Sequence, residues 1–133
     1  MKISTRSRYG LRFMTVLARH YGRGLLHLKE IAREEDISEK YLSLLVMPLK
    51  ASGLVITDQG AHGGYQLARP PRQITVRQII EPLEGGINLV ECSRNPGYCR
   101  RSSACCTQDV WTVLEEKIRD TLDKMTLDKL IKE

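Results

Sequence analysis

Apolar positions recur every three to four residues along most of the chain, and one central stretch switches to a two-residue period. Over residues 5–21, Tyr9, Phe13, Val16, Leu17 and Tyr21 fall at helical spacing, the mark of an amphipathic helix. Gly22 and Gly24 end it, since glycine accepts the left-handed backbone that closes a helix. "LKEIAREED" (28–36) groups Leu28, Ile31 and Ala32 on one face of a shorter second helix. Ser38 is an N-cap for a third helix, running from Glu39 to about Ser52. Leu42, Leu45, Val46 and Leu49 form its inward face. Pro48 lies inside it, so a kink or a tightened last turn is expected.

The two-residue period follows. "LVIT" (54–57) and "YQLAR" (65–69) read as strands, separated by "DQGAHGG" and closed by Pro70 and Pro71. Three helices followed by a hairpin is the order of a winged helix-turn-helix. In such a motif the N-terminal residues of the second helix of the pair meet base edges. That selects Ser38, Lys40, Tyr41 and Ser43 as DNA-binding candidates, with Lys29 on the preceding helix. Glycine lets backbone come close to a phosphate chain, so Gly63 and Gly64 join them. His62, at the hairpin tip, is placed to enter a minor groove.

Beyond the hairpin, Thr75 and Gln78 form a capping box ahead of Ile79, Ile80 and Leu83. Val110, Trp111, Leu114, Ile118, Leu122 and Met125 then recur over a helix from about 108 to 125. At ~1.5 Å per residue it spans roughly 27 Å and has little of its own chain left to pack against. Pairing with its counterpart in a homodimer is expected, and a dimer presents two reading heads to a palindrome. The expected fold class is mostly α with a small β-hairpin wing. Residues 1–73 form the winged helix-turn-helix and 74–133 the dimerisation helix and cysteine-rich loop (92–106), the two in one compact unit.

Composition narrows the function. A chain of 133 residues can bury a core without covalent staples. No apolar run approaches the roughly 18 residues of a membrane span. "MKISTRSRYGLRFMTVLARHYG" lacks the apolar core of a signal peptide. The expected place is the cytoplasm, with no membrane partner. Residues 1–101 hold 16 basic and 9 acidic residues, a net of +7; residues 102–133 hold 5 and 7, a net of −2. Residues 1–23 carry six bases and no acid. This one-sided charge suits a polyanion. Arg6, Arg8 and Arg12 are candidates for phosphate or groove-edge contacts with double-stranded DNA. No histidine has a catalytic context and no glycine-rich phosphate loop follows a strand, so the chain is not read as an enzyme.

All four cysteines fall in "CSRNPGYCRRSSACC" (92–106). A disulfide knot, a zinc site and an iron–sulfur cluster are the three chemistries available. A reducing compartment favours metal or redox chemistry over structural disulfides. Structural zinc usually takes paired Cys-x2–4-Cys knuckles, and thiolates suit iron and zinc alike, so ligand type does not discriminate between them.

The stretches "KISTRSRYGLR", "LKEIAREEDISEKYLSLLVMPLKASGLV", "GAHGGYQLARP" and "LEGGINLVEC", with Trp111 and "MTLDKL", resemble the IscR-type winged-helix regulators, a superfamily that includes the IscR, NsrR and CymR regulators. The resemblance covers nearly the whole chain. It implies a homodimeric transcription factor, mostly repressor-like. Cys92, Cys99 and Cys105 match the three positions at which many members hold a 2Fe–2S or 4Fe–4S cluster that senses iron–sulfur, redox or nitric oxide status. Other members, in the CymR branch, lack the cluster and act in cysteine metabolism through a partner enzyme. The chain departs from the pattern at three positions. Gln108 stands where members often carry a histidine, Arg8 where others recruit an acid from the partner subunit, and Ser43 where many carry an acid. Cys106 is the first choice for a fourth ligand, ahead of Glu91, Asp109, His20 and His27.

Overall fold

A computed structural model describes residues 1–58, 64–95, 97–101 and 104–132. Ser4 starts the first helix, α1 (Thr5–Arg19), where its hydroxyl accepts the Ser7 N–H at 3.1 Å. Phe13, Met14, Val16, Leu17 and Ala18 line its buried stripe. Tyr21, expected on that stripe, is exposed; the helix has already ended, and Gly22 turns the chain at φ 85°.

The second helix, α2 (Leu28–Glu35), closes at Asp36 in the left-handed region, φ 53°. Ile37 is buried in the turn. Ser38 then caps α3 (Glu39–Ala51), its hydroxyl accepting the Tyr41 N–H at 3.0 Å. The four expected core positions of α3 are all buried, and the helix continues through Pro48. The strands β1 (Val55–Asp58) and β2 (Gly64–Leu67) pair antiparallel, Val55 opposite Leu67 and Asp58 opposite Gly64. Leu26 adds to the edge of β2 by exchanging two backbone hydrogen bonds with Tyr65, at 2.9 and 2.8 Å. The chain thus has the helix-turn-helix and wing that its periodicities imply.

A short 3-10 turn (Pro71–Gln73) leads into α4 (Val76–Glu84). The expected capping box is present: Thr75 Oγ1 accepts the Gln78 N–H at 3.1 Å, and Gln78 Oε1 accepts the Thr75 N–H at 2.9 Å. α4 crosses α1 at Gly10, where a β-carbon would stand 2.3 Å from Leu83 Cδ1. Near this crossing Glu84 accepts the Ser4 N–H at 3.0 Å, the Ser7 hydroxyl at 2.5 Å and the Ser4 hydroxyl. Burial pushes the Glu84 carboxyl up, but these serine hydrogen bonds and the nearby charge of Arg6 outweigh it, and its pKa is lowered. Ser7 is itself fully buried. Ser7→Ala is expected to cost about 1.5–3 kcal/mol at neutral pH, the usual size for a hydrogen bond to a charged group. Because the folded pKa is depressed, the wild-type advantage is full above the ordinary value of 4.5 and fades as pH falls through the lower folded value. Urea unfolding of both proteins at pH 7 and in acid checks it.

The remaining helices are α5 (Glu91–Arg94), α6 (Gln108–Asp123) and α7 (Leu127–Leu130). After α6 the chain returns to the core. The Val76 N–H donates to the Met125 carbonyl at 2.8 Å and the Leu127 N–H to the Ile74 carbonyl at 3.0 Å. Leu127 is fully buried in the same hydrophobic cluster as Phe13, Ile31, Leu49, Ile79 and Leu83. The sequence pattern ends at Met125 and does not reveal this clasp. Among the described residues no helix is long and apolar enough to cross a membrane.

Candidate nucleic-acid interface and thiol loop

The helix-turn-helix presents the outward side of α3. Lys40, Ser43, Leu44, Met47 and Lys50 lie on it, all exposed. The Ser43 hydroxyl donates to the Lys40 carbonyl at 2.6 Å. Ser38 is exposed, with its hydroxyl engaged in capping. Tyr41 differs from the expectation of a free groove-facing side chain. It is half-buried and packs edge-on against Tyr9, with ring centroids 5.8 Å apart. Leu44 and Met47 were not among the sequence candidates; their sign was two apolar residues off the inward stripe.

Basic side chains surround this face. Arg6, Arg8 and Lys29 are exposed. The Arg8 guanidinium stands 5.9 Å from the Tyr9 ring centre, and Arg12 lies over the same ring at 5.2 Å. Arg12 also pairs with Glu35 at 3.0 Å and donates to the Glu35 carbonyl, which ties α1 to α2 and neutralises part of its charge. Lys29, Ser43, Met47 and Lys50 line one side of a cleft of about 700 Å³, with Thr57 and Gly64 of the wing on the other.

His62 and Gly63 lie outside the described residues. Gly64, expected at the DNA, is buried. Its φ is not in the left-handed range, and a β-carbon there would meet the Leu26 carbonyl oxygen at 2.8 Å and Leu25 Cβ at 2.9 Å. Glycine is needed here so that β2 can approach residues 25–26, not so that the backbone can turn.

The thiol loop joins α4 to α6. Cys92 sits on α5, Cys99 in the following turn, and Cys105 and Cys106 just before α6. All four are free; the first three are half-buried and Cys106 is exposed. The Cys105 sulfur lies 3.1 Å from Thr107 Oγ1. Hydrogen bonding from the Thr107 side chain, and from the backbone N–H groups of Thr107 and Gln108, lowers its pKa, with Arg101 adding to the effect. The donors fit an iron–sulfur cluster in kind, being soft thiols free of disulfides. They are not drawn together: among the described residues no three His, Cys, Asp or Glu side chains are grouped to hold a metal ion.

α6 is inverted relative to an ordinary surface helix. Val110, Trp111, Val113 and Leu114 are exposed, and its one buried side chain is Glu115, 1 % exposed. Glu115 Oε2 accepts from Ser93 Oγ at 3.0 Å and Asn88 Nδ2 at 3.3 Å, and Arg119 lies 3.8 Å away. Arg119 in turn donates to the Ile87 carbonyl at 2.7 Å. Oε1 has no hydrogen-bond partner among the described residues. This clamp fastens Ile87, Asn88 and, through Ser93, α5 to α6. Beside it, Cys92, Gln108 and Thr112 line a cavity of about 180 Å³. Sequence reasoning did not find Glu115, because an acid two positions from Val113 reads as solvent-facing.

Comparison with known proteins decides the family. The Rrf2 profile, described as an iron-dependent transcriptional regulator, matches residues 3–133. The chain belongs to the Rrf2 family. This Rrf2 protein is 41% identical over 130 residues to the transcriptional regulator CymR of Bacillus subtilis, covering 98% of this chain and 89% of the relative. It is 30% identical over 131 residues to IscR of Pectobacterium carotovorum, covering 98% and 79%. The solved structure of CymR, the global cysteine regulator of B. subtilis, superposes with a TM-score of 0.79 at 39% identity, covering 98% of this chain and 96% of that one. IscR of T. potens gives 0.79 at 37% identity, covering 98% and 86%. Like its relatives, this Rrf2 chain is a DNA-binding transcriptional regulator with a winged-helix fold.

Proposed function

We propose that the protein is a cytoplasmic homodimeric regulator, repressor-like in action, that binds a palindromic operator and whose operator affinity is set by an iron–sulfur cluster held by the thiol loop. Four free thiols leading directly into an outward-apolar helix carry this reading. Val110, Trp111, Val113 and Leu114 would pair α6 with a second copy. Two α3 helices would then face successive half-sites, with Arg6, Arg8, Arg12, Lys29 and Lys40 on the phosphates or groove edges. Cys92, Cys99 and Cys105 would hold the cluster, with Cys106 as the fourth thiolate. The bound cluster would supply a centre reactive toward oxidants and nitric oxide. The chain's own contribution is the coupling: Ser93, next to Cys92, is hydrogen-bonded to Glu115 on α6, so displacement of α5 is felt by the dimer helix.

A second reading is favoured by the 41% identity to CymR and by the dispersed thiols. In it, the protein holds no cluster and answers to a protein partner in cysteine metabolism. Anaerobic purification separates the two. A brown protein with visible charge-transfer absorption supports the first reading. A colourless protein, with stoichiometric zinc or no metal, overturns it. Cys92→Ala, Cys99→Ala and Cys105→Ala are each expected to abolish the absorption. All three should converge on one operator affinity, differing from wild type by about 5–150-fold, the ordinary range of allosteric coupling.

A further inference from the structure

We propose that Leu44 and Met47 read thymine in the operator through its 5-methyl group. The inference rests on the assignment of α3 as the DNA-reading helix. α3 buries Leu42, Leu45, Val46 and Leu49, which fixes the side it turns outward. At the middle of that side stand two large apolar side chains one turn apart, Leu44 at 57% exposure and Met47 at 65%. They are flanked by exposed cations, Lys40 one turn before and Lys50 one turn after. A stripe with charged ends and an apolar centre matches a groove with phosphate rims and a methyl-bearing floor.

The hydrogen-bonding capacity of the stripe points the same way. Ser43 spends its hydroxyl proton on the Lys40 carbonyl and has only acceptor lone pairs left. The hydroxyl of Ser38 is engaged in capping, and Tyr41 leans on Tyr9. The centre of α3 therefore offers no bidentate amide or guanidinium pair of the kind that reads adenine or guanine. It offers apolar surface. In the major groove thymine alone presents a methyl group, and apolar contact is the way that group is read. A thioether and an isobutyl side chain, both adaptable in shape, would close over such methyls and remove them from water.

The test separates this inference from the reading beneath it. Binding sites are first selected with the full-length protein from a randomised duplex library. Each thymine of the selected operator is then replaced singly by deoxyuridine, which keeps every base-pairing and groove hydrogen-bonding group and removes only the methyl. One or more positions in each half-site should bind roughly 3–10-fold more weakly, the size expected for one methyl returned to water. In Leu44→Ala or Met47→Ala that thymine-to-uracil penalty should shrink to less than about twofold at the affected position. Both side chains are exposed, so truncation leaves the core packed. Uniform indifference to deoxyuridine, or full discrimination retained in both variants, overturns the inference. A library that yields no bound duplex overturns the DNA-reading assignment of α3 itself.

Discussion

Raising the salt concentration from about 50 to about 200 mM is expected to weaken operator binding by roughly 10³–10⁵-fold, the loss that follows from neutralising about six to ten phosphates per complex. The basic residues available for this are arranged around α1 and the helix-turn-helix, and they are not equivalent. Arg6 and Lys40 are exposed, and no hydrogen bond or ion pair from their side chains is seen among the described residues. Arg12 is shared with Glu35 and stacked on Tyr9. Each phosphate contact contributes close to one unit to the slope of log affinity against log salt. Arg6 also lies near the Glu84 carboxylate, so Lys40→Ala is the cleaner variant and should lower the slope of the proposed dimer by about two, one for each copy. Arg12→Ala should lower it by less, because part of its charge is already neutralised, and should also loosen the α1–α2 contact. Fluorescence anisotropy over a salt series measures both. A flat salt dependence, or equal slopes for the two variants, would contradict this arrangement.

Leu127→Ala is expected to destabilise the fold by about 2–5 kcal/mol, the range for emptying a fully buried leucine site. Leu127 is fully buried in the central core, and its backbone N–H donates to the Ile74 carbonyl. The variant loses packing against α1 and the 3-10 turn, which α7 contacts. Leu130→Ala, at a side chain 41% exposed, should change stability by no more than about 0.5 kcal/mol. Thermal unfolding at one fixed protein concentration compares them, since the stability of a dimer depends on concentration. Similar behaviour of the two variants would mean that the C-terminal clasp contributes little.

The elements most legible in the sequence are those fixed by neighbours a few residues away. Ser38 and the Thr75–Gln78 pair announce their helices because a cap is a local hydrogen bond, and the α3 core positions follow from a 3.6-residue period. The wing strands were legible for the same reason, shifted by a residue or two at their ends. Leu127 was not, because its partner Ile74 lies 53 positions earlier and nothing in "MTLDKL" signals a pairing at that distance. The packing of Tyr41 on Tyr9 was not legible, since only the crossing of α1 and α3 brings the two rings together. Of the stripe that periodicity drew, Val110, Trp111 and Leu114 are exposed, Ile118 and Leu122 are half-buried, and Met125 falls beyond the end of α6 at Asp123. Periodicity could not show that the opposite side would be held by a buried carboxylate rather than by apolar packing.

The two ends of α6 are attached by different means. At Met125–Leu127 the chain is pinned by backbone pairing and a buried side chain; toward the thiols it is held through the polar clamp at Glu115 and Arg119. The clamp grips α6 at its middle and the pairing grips it at its C-terminal end, so the turns before Glu115 are the least anchored part of the helix. From Gln108 to Glu115 that overhang is roughly 10 Å at ~1.5 Å per residue. Cys105 and Cys106 immediately precede this overhang, and Trp111 lies in its first turn. In the proposed dimer, a chemical change at the loop would therefore reach the paired α6 helices through the end of the helix that lacks a buried apolar anchor.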